Sequence, residues 1–286
     1  MDAEFWIIQV FNGISYGALL FLLAGGLSLI FGVMRIVNLA HGSYFLLGGY
    51  VALTVIWTTG SWVLAIPVAA LTIAVVGLLM ERVFLRPLGF DPLRQVLLTV
   101  GFAFLFQQGA LDIWGGDNLI INPPEALEES AVIGGIYFPL YRVFMIGVAV
   151  AIGGTIWLTM EKTRMGAMVR AAVDDSEMAR GVGVDTSRVS MFIFALGAFL
   201  AALGGVIGGA FLGVYPGLDF EILPIAFAVV IIGGMGSLGG AAIGSLLVGL
   251  ADNFGKALFP EVSYFTLYAP MVLILALKPT GLFGRE

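Results

Sequence analysis

The sequence contains no cysteine and a single histidine, His41, among its 286 residues. Without cysteine the chain forms neither disulfides nor thiol-based active sites, and one histidine is too few for the usual zinc site. Charged residues are also scarce: they make up 11% of the chain, whereas soluble domains average roughly 25%. We therefore expect no metal and no cofactor bound by this chain, and no nucleic-acid partner.

Motifs that bind phosphate or carry out hydrolysis are missing as well. The only Gly-Lys pair, Gly255-Lys256, is followed by Ala257, so there is no G-x-x-x-x-G-K-[ST] loop for ATP. Ser237 lies in a glycine-rich turn, but Met235 stands where the pattern G-x-S-x-G requires glycine. The chain is therefore predicted not to be an enzyme.

Long apolar runs are abundant: 60% of the residues are hydrophobic, and the mean hydropathy is +1.04. These runs are continuous, whereas the strands of membrane barrels alternate. Because about 20 apolar residues cross a hydrocarbon core of roughly 30 Å, we predict an all-α polytopic membrane protein with about eight or nine transmembrane helices in a single domain, residues 1–286. The nine predicted spans are residues 5–30, 38–57, 62–80, 95–114, 140–160, 189–212, 220–233, 239–259 and 264–277.

The seventh span, residues 220–233, is short enough to be re-entrant. One or two spans are expected to be interrupted, because glycines and polar residues break the apolar runs in both halves of the chain. Interrupted helices in corresponding places are typical of transporters built from repeated halves.

The basic residues divide unequally between the two sides that these spans define. Two of the 13 basic residues, Arg142 and Lys256, lie on one side. The other eleven lie on the opposite side: Arg35, Arg82, Arg86, Arg94, Lys162, Arg164, Arg170, Arg180, Arg188, Lys278 and Arg285. Cytoplasmic loops carry the excess of Lys and Arg, which predicts that residues 161–188 and the C-terminus are cytoplasmic and that the N-terminus is external.

The start of the chain is acidic, with Asp2 and Glu4, and lacks the basic region of a secretory signal. We therefore expect the first helix to be retained. The longest external loop, residues 115–139, contains Asn122-Pro123-Pro124 and the acids Glu125, Glu128 and Glu129. Its Pro and Asn residues favour turns. It is either a solvated loop or part of a landing surface for an external protein.

A polar cluster, Asn38, His41, Gly42 and Ser43, stands where the second predicted span begins. Polar groups and free backbone at membrane depth need partners that lipid cannot provide. The cluster therefore faces protein or water. It either lines a translocation pathway, or His41 ties one helix end to its neighbour.

Glycine recurs every four residues in two later spans. Gly197, Ala201, Gly205, Gly209 and Gly213 form one stripe, and Gly236, Gly240 and Gly244 form another. Such stripes favour close helix crossings. The joining segment, which includes Gly233, Gly234, Gly236 and Ser237, either packs in this way or forms an unwound part of the pathway.

The charged segment 161–188 holds ten of the 32 charged residues. Met165, Met168, Ala171 and Ala172 share one face of a short helix. Ser176 is predicted to cap a second helix over residues 177–180, which Gly181 and Gly183 end. Asp185 or Thr186 then caps the next span. The alternatives are a helix that rests on lipid headgroups and a docking element for a soluble partner; the balanced charge and the alanine-rich face favour docking.

Three blocks of this sequence are similar to one known family. Arg170-Ala171-Ala172-Val173-Asp174, followed by Ala179 and Gly181-Val182-Gly183, resembles the cytoplasmic coupling loop of branched-chain amino acid permeases of ABC transporters. Residues 32–42 and 233–240 resemble two further signatures of that family. The blocks cover nearly the whole chain. One departure is Ser43, because many family members carry Glu after His-Gly; if that acid acts on substrate or gate, this protein handles a different solute.

The resemblance implies a permease subunit in a bacterial inner membrane, surrounded by lipid. It would import branched-chain or other small amino acids, or, alternatively, urea, short amides or small carboxylates; a passive small-solute channel is a less favoured alternative. The implied partners are a second homologous permease in a homo- or heterodimer, two cytoplasmic ATPases that bind the ATP, and an external solute-binding protein. ATPase coupling would fall to Gly166, Met168, Arg170, Ala171, Ala172, Asp174, Asp175, Ala179, Gly181 and Gly183, within residues 165–183, which would seat in a groove of the ATPase.

Overall fold

The computed structural model describes residues 3–89 and 91–284. Asp2 and Arg285, which entered the charge count above, lie outside the described residues. Eleven α-helices form within them: α1 (Ala3–Met34), α2 (His41–Thr59), α3 (Trp62–Leu79), α4 (Pro92–Trp114), α5 (Leu140–Lys162), α6 (Arg164–Asp174), α7 (Ser176–Gly181), α8 (Thr186–Leu212), α9 (Leu218–Gly233), α10 (Leu238–Leu258) and α11 (Ser263–Leu277).

Short elements complete the chain. A π-helical turn (Met80–Leu85) and a 3-10 turn (Arg86–Leu88) extend α3, and further 3-10 turns span Glu125–Leu127 and Pro260–Val262. The strands β1 (Ser130–Ile133) and β2 (Ile136–Pro139) form an antiparallel hairpin in the loop after α4. Gly134 and Gly135 join them with φ values of 62° and 86°, the left-handed pair that a tight hairpin turn requires. This small hairpin is an addition to the predicted all-α architecture.

Seven of the described helices are long and apolar enough to cross a membrane: α1, α3 with its extension to Leu88, α4, α5, α8, α10, and α11 with the preceding turn. The other two predicted spans, α2 and α9, form helices of 19 and 16 residues. At 1.5 Å per residue α9 is about 24 Å long, shorter than a hydrocarbon core of roughly 30 Å. The all-α polytopic fold is confirmed.

Side-chain caps explain where several helices begin. Ser61, Asp91, Asp185 and Ser237 each accept a hydrogen bond from a backbone N–H in the first turn of the following helix, as N-caps do. Asp185 is one of the two caps predicted for α8. The second predicted span is corrected: its helix begins at His41 and not at Asn38, because residues 35–40 are held in a non-helical path.

The helices α1 and α8 form the centre of the bundle. In both, 72% of the most apolar stretch is buried, compared with 17% in α4 and 6% in α11. Close crossings surround this centre: a Cβ added to Gly205 of α8 would collide with the Phe45 carbonyl of α2, and one added to Gly48 would meet the backbone of Ala202. The predicted packing role of the first glycine stripe is confirmed for its helical part, whereas Gly213 lies beyond the end of α8 with φ of 80°.

Contacts between loops and helix ends define two ends of the bundle. At one end, Leu119 pairs with Val214 through backbone hydrogen bonds, and Asn253 of α10 bonds to Gln9 of α1. We call this the acidic end, because it includes the loop 115–139. At the other, Arg86 donates to Ser187 at 2.9 Å. We call this the basic end, because it includes residues 161–188.

The packing at Gly205 predicts a destabilised variant. Gly205→Ala forces α2 and α8 apart, and we expect the free energy of unfolding to fall by about 1–3 kcal/mol, the usual cost of overpacking. The matched control is Gly147→Ala in α5, where no atom lies near the added Cβ. Unfolding of both purified variants in mixed micelles checks this; equal stability of the two would contradict it.

Candidate functional site

The segment between α1 and α2 turns back into the bundle without forming helix. Arg35 begins it with φ of 54°, a left-handed conformation uncommon for a side chain other than glycine. The Asn38 side-chain oxygen accepts from the Ala40 N–H at 3.1 Å, and the Leu39 N–H donates to Thr99 of α4 at 3.2 Å. Side chains thus satisfy backbone groups that lipid could not.

As a result, α2 begins inside the bundle. His41 at its start is fully buried, and its Nε2 lies 2.9 Å from the Leu23 carbonyl of α1. Leu23 precedes the end of α1 at Met34 by eleven residues, which corresponds to about 16 Å of helix. The tie between His41 and a neighbouring helix, one of the two interpretations of this residue, is therefore present.

The start of α9 meets the start of α2 at this depth. The Ser43 hydroxyl donates to Asp219 Oδ2 at 2.8 Å, and both residues are buried. A Cβ added to Gly42 would collide with the Asp219 carbonyl, so only glycine permits this approach. From here α2 runs toward the acidic end and α9 runs toward the basic end.

Several buried polar atoms at this meeting point have no hydrogen-bond partner within the described chain. They are Asn38 Nδ2, His41 Nδ1, Tyr50 OH and Asp219 Oδ1. The N-terminal ends of α2 and α9, which are the positive ends of their dipoles, both lie beside the Asp219 carboxylate. Such a place holds a polar solute in transporters with interrupted helices.

Sequence reasoning missed Asp219 as a site residue. A signal was present, because Asp219 opens a short apolar run that contains Pro224. In this chain another helix, α9, brings a carboxylate next to Ser43.

The second predicted pathway segment lies at the opposite end of α9. Gly233 ends that helix, and Gly234 and Gly236 have φ values of 96° and 81°. The sequence left open whether this segment packs closely or is unwound. The backbone of residues 234–237 is unwound, whereas Gly240 and Gly244 pack closely against α9. Asp219 and Gly233 are 14 residues apart, about 21 Å along the helix, so the fold does not bring the two predicted segments together.

Backbone contacts hold this unwound segment at the basic end. The Leu282 and Phe283 N–H groups donate to the carbonyls of Ile232 and Gly233 at 2.9 and 3.0 Å. The Ser28 hydroxyl of α1 donates to the Ser237 carbonyl at 3.3 Å. The segment is thus held between α1 and the residues that follow α11.

The charged segment 161–188 folds into α6 and α7, as the sequence predicted. Thr163 caps α6 by accepting from the Gly166 N–H at 3.1 Å, and the Arg170 guanidinium donates to the Met160 carbonyl near the end of α5. A cation at the C-terminal end of a helix is favourable. The cap of α7 is a correction: Asp175, and not Ser176, accepts from the Glu177 and Met178 N–H groups at 3.0 and 2.9 Å.

The face of this segment that was predicted to dock a partner, with Met168, Ala171 and Ala172, is not the exposed face. Gly166, Ala172 and Ala179 are buried against the chain itself, while Met168 and Ala171 are half-buried. The physical reason is that the apolar stripe, which includes Val169, packs on the chain's own hydrophobic core. The predicted coupling residues on the surface are Arg170, Asp174, Asp175, Gly181 and Gly183. Met178 and Val182 are 65% and 74% exposed beside them.

At the acidic end, both basic side chains already have partners. Lys256 forms an ion pair with Asp252 at 2.7 Å, and Arg142 donates to Asn12. Tyr215 donates to Glu221 at 2.8 Å. Burial and the neighbouring Glu221 carboxylate raise the pKa of Tyr215 to about 12, so the hydroxyl remains a donor at neutral pH.

The Ser43–Asp219 contact predicts a loss of stability on its removal. Ser43→Ala leaves a buried carboxylate oxygen without its donor, and we expect the free energy of unfolding to fall by about 1–3 kcal/mol. Thr155→Ala is the control, because its exposed hydroxyl donates to the Ala151 carbonyl of its own helix. Unfolding in mixed micelles measures both; an unchanged Ser43→Ala variant would show that the contact does not hold α2 to α9.

Known proteins match nearly the whole length of the chain. The family model described as branched-chain amino acid transport system, permease component, matches residues 9–275. The high-affinity branched-chain amino acid transport system permease protein LivH of Escherichia coli strain K12 is 30% identical, over 98% of this chain and 96% of the relative. BraD of Pseudomonas aeruginosa, which bears the same description, is 28% identical over the same shares.

A second type of relative is more distant. LivM of Escherichia coli strain K12, also a high-affinity branched-chain amino acid transport system permease protein, is 26% identical over 90% of this chain and 66% of the relative. No solved structure matches the chain significantly. The family match and the near-complete coverage of LivH together show that this chain, a multi-pass membrane protein, belongs to the permease component family of branched-chain amino acid transport systems.

Proposed function

We propose that this chain is the permease subunit of an ATP-binding-cassette importer that carries branched-chain or other small neutral amino acids across the cytoplasmic membrane. Family membership supports the class of protein. The observation that supports a substrate pathway is the meeting of two helix starts at the buried Asp219 carboxylate. Urea, short amides and small carboxylates are the alternative substrates.

The chemistry around Asp219 suits a zwitterion. Its Oδ1 atom, without a partner in the described chain, can accept from an α-ammonium group. The N-terminal ends of α2 and α9 attract a carboxylate through their dipoles. A neutral amide would gain less from such a pair of opposite charges, and a carboxylate alone would be repelled by Asp219.

We assign each expected partner to one of the two ends of the helix bundle. The excess of basic residues favours a cytoplasmic position for the basic end, where two ATPases would bind the exposed face of residues 161–188 and bind the ATP. The acidic end, with its hairpin, would receive an external solute-binding protein. The two types of permease among the relatives, LivH and LivM, favour a second, homologous permease as the partner in the membrane.

The rigid attachment of the segment 161–188 to the bundle would transmit movements of the ATPases to the membrane helices. Arg170 fastens α6 to the end of α5, and the buried Ala172 and Ala179 seat both short helices on the chain's own helices. Closure of the ATPase pair would move these elements as a body and switch the pathway between outward and inward access.

Uptake into proteoliposomes tests the proposed function. The permease pair is reconstituted with its ATPases, with ATP inside and the binding protein outside, and labelled L-leucine, urea, acetamide and acetate are offered in turn. We expect ATP-dependent uptake of L-leucine. Rapid equilibrative flux through vesicles that contain the permease alone would instead support the channel.

The same assay tests Asp219. Asp219→Asn removes the charge that would hold the ammonium group, so we expect uptake to fall roughly tenfold or more. The control is Asp112→Asn, which alters an exposed carboxylate that accepts a hydrogen bond from Gln108 of the same helix. Full uptake by Asp219→Asn would exclude Asp219 from substrate binding.

The ATPase surface is tested by a matched pair of Val→Asp variants. Val182 is 74% exposed at the end of α7, and Val132 is 57% exposed in the hairpin at the acidic end. We expect Val182→Asp to lower ATPase co-purification roughly tenfold, because a buried unpaired charge weakens an interface. Val132→Asp should retain the ATPases; equal co-purification of the two variants would argue against docking on α7.

A further inference from the structure

A cavity of about 550 Å³ lies at the basic end, between the segment 161–188 and the bundle. Its walls come from the end of α1, the π-helical turn after α3, the short helices α6 and α7, and the start of α8. A cavity of this size is typical of small-molecule sites. It is separate from the meeting point of α2 and α9, none of whose residues lines it.

Glu81, a buried acidic residue, is among the residues that line this cavity. Glu81 is only 2% exposed, and its Oε2 atom has no hydrogen-bond partner in the described chain. It lies in the π-helical turn Met80–Leu85, a conformation frequent at functional sites. Burying a carboxylate oxygen without a donor costs free energy, so a ligand whose N–H group reaches the Glu81 side chain would be stabilised here.

Arg35 lines the same cavity. Arg35 has the left-handed φ of 54°, and its side chain makes no hydrogen bond or ion pair with any residue that the structure describes. Other charges in the wall are engaged: Arg86 donates to Ser187, and Asp175 caps α7. Asp174 and Arg180 have interactions of their own.

The remaining wall is partly apolar. Val33 and Ile36 flank Arg35, Leu85 lies one turn after Glu81, and Val173 closes the side formed by α6. A ligand that satisfies all three features carries a cationic donor, an anionic acceptor and an aliphatic group. A small aliphatic α-amino acid in its zwitterionic form has this composition.

We propose that this cavity is a second amino-acid site, in which Glu81 binds the α-ammonium group and Arg35 binds the carboxylate. The inference rests on the proposed function, because it identifies the ligand with the transported class on its cytoplasmic side. An occupant contacts α1, the π-helical turn, α6 and α7 at once, so it opposes the displacement of these elements that closure of the ATPase pair would cause. Amino acid accumulated inside the cell thereby slows further import.

Binding to the purified permease complex, without binding protein or ATP, tests the site directly. Labelled L-leucine is the probe, and L-leucinamide and 4-methylpentanoate are the competitors that lack one charge each. We expect Glu81→Gln and Arg35→Gln each to weaken L-leucine binding roughly tenfold, the effect of one lost charge-assisted bond. Asp219→Asn, which alters the pathway instead, should leave this binding component in place.

Uptake with preloaded vesicles tests the regulation. L-leucine inside the proteoliposomes should inhibit ATP-driven uptake by the wild-type complex and by Glu128→Gln, a control at the acidic end. Glu81→Gln and Arg35→Gln should transport at the wild-type rate from empty vesicles and resist the inhibition. Arg35 is exposed, so its variant tests the site even if Glu81→Gln folds poorly.

The outcomes separate this inference from the proposed function. Uptake without any effect of internal L-leucine, or inhibition that both variants retain, would overturn the second site and leave the importer intact. Displacement by L-leucinamide as effective as by L-leucine would overturn the role of Arg35 and the zwitterion. Failure of uptake by the wild-type complex would refute the importer, while the binding measurement would still decide whether the cavity holds an amino acid.

Discussion

The hydrogen bond between Ser43 and Asp219 joins two helices that both begin inside the bundle. Lipid cannot satisfy the free N–H groups at a helix start, so such starts persist only where protein groups surround them. Here the Asn38 and Thr99 side chains hold the non-helical approach to α2, and His41 binds the α1 backbone. The arrangement concentrates polar atoms at a depth where the rest of the bundle is apolar.

The close packing of the central helices makes this arrangement possible. Gly42 lets α2 approach the Asp219 carbonyl, and Gly48 and Gly205 bring α2 against α8. Small residues allow the helix backbones to approach at several crossings. Dispersion contacts between the helices then stabilise the bundle. Apolar contacts therefore hold the polar meeting point in place. Its geometry depends on small residues that have no polar side chain of their own.

The segment 161–188 is attached to the same bundle from the basic end. Its apolar stripe faces inward and its charged residues face outward, together with the exposed apolar residues Met178 and Val182. The cavity that contains Glu81 and Arg35 lies at this attachment. The end of α1, the start of α8 and the segment all line this cavity. A ligand in the cavity and a movement of the segment therefore each act on α1 and α8.

Hydropathy and charge alone were enough to predict the all-α class, the nine apolar helices and the two helices of the charged segment, because membrane crossing and helix capping depend on local composition. The family was recognisable from residues 32–42, 170–183 and 233–240 for the same reason. Local sequence could not show that Asp219 approaches Ser43, that Gly166 and Ala172 face inward, or that Glu81 and Arg35 share a cavity. Those relations join residues up to 176 positions apart, and only the packing of whole helices against one another decides them.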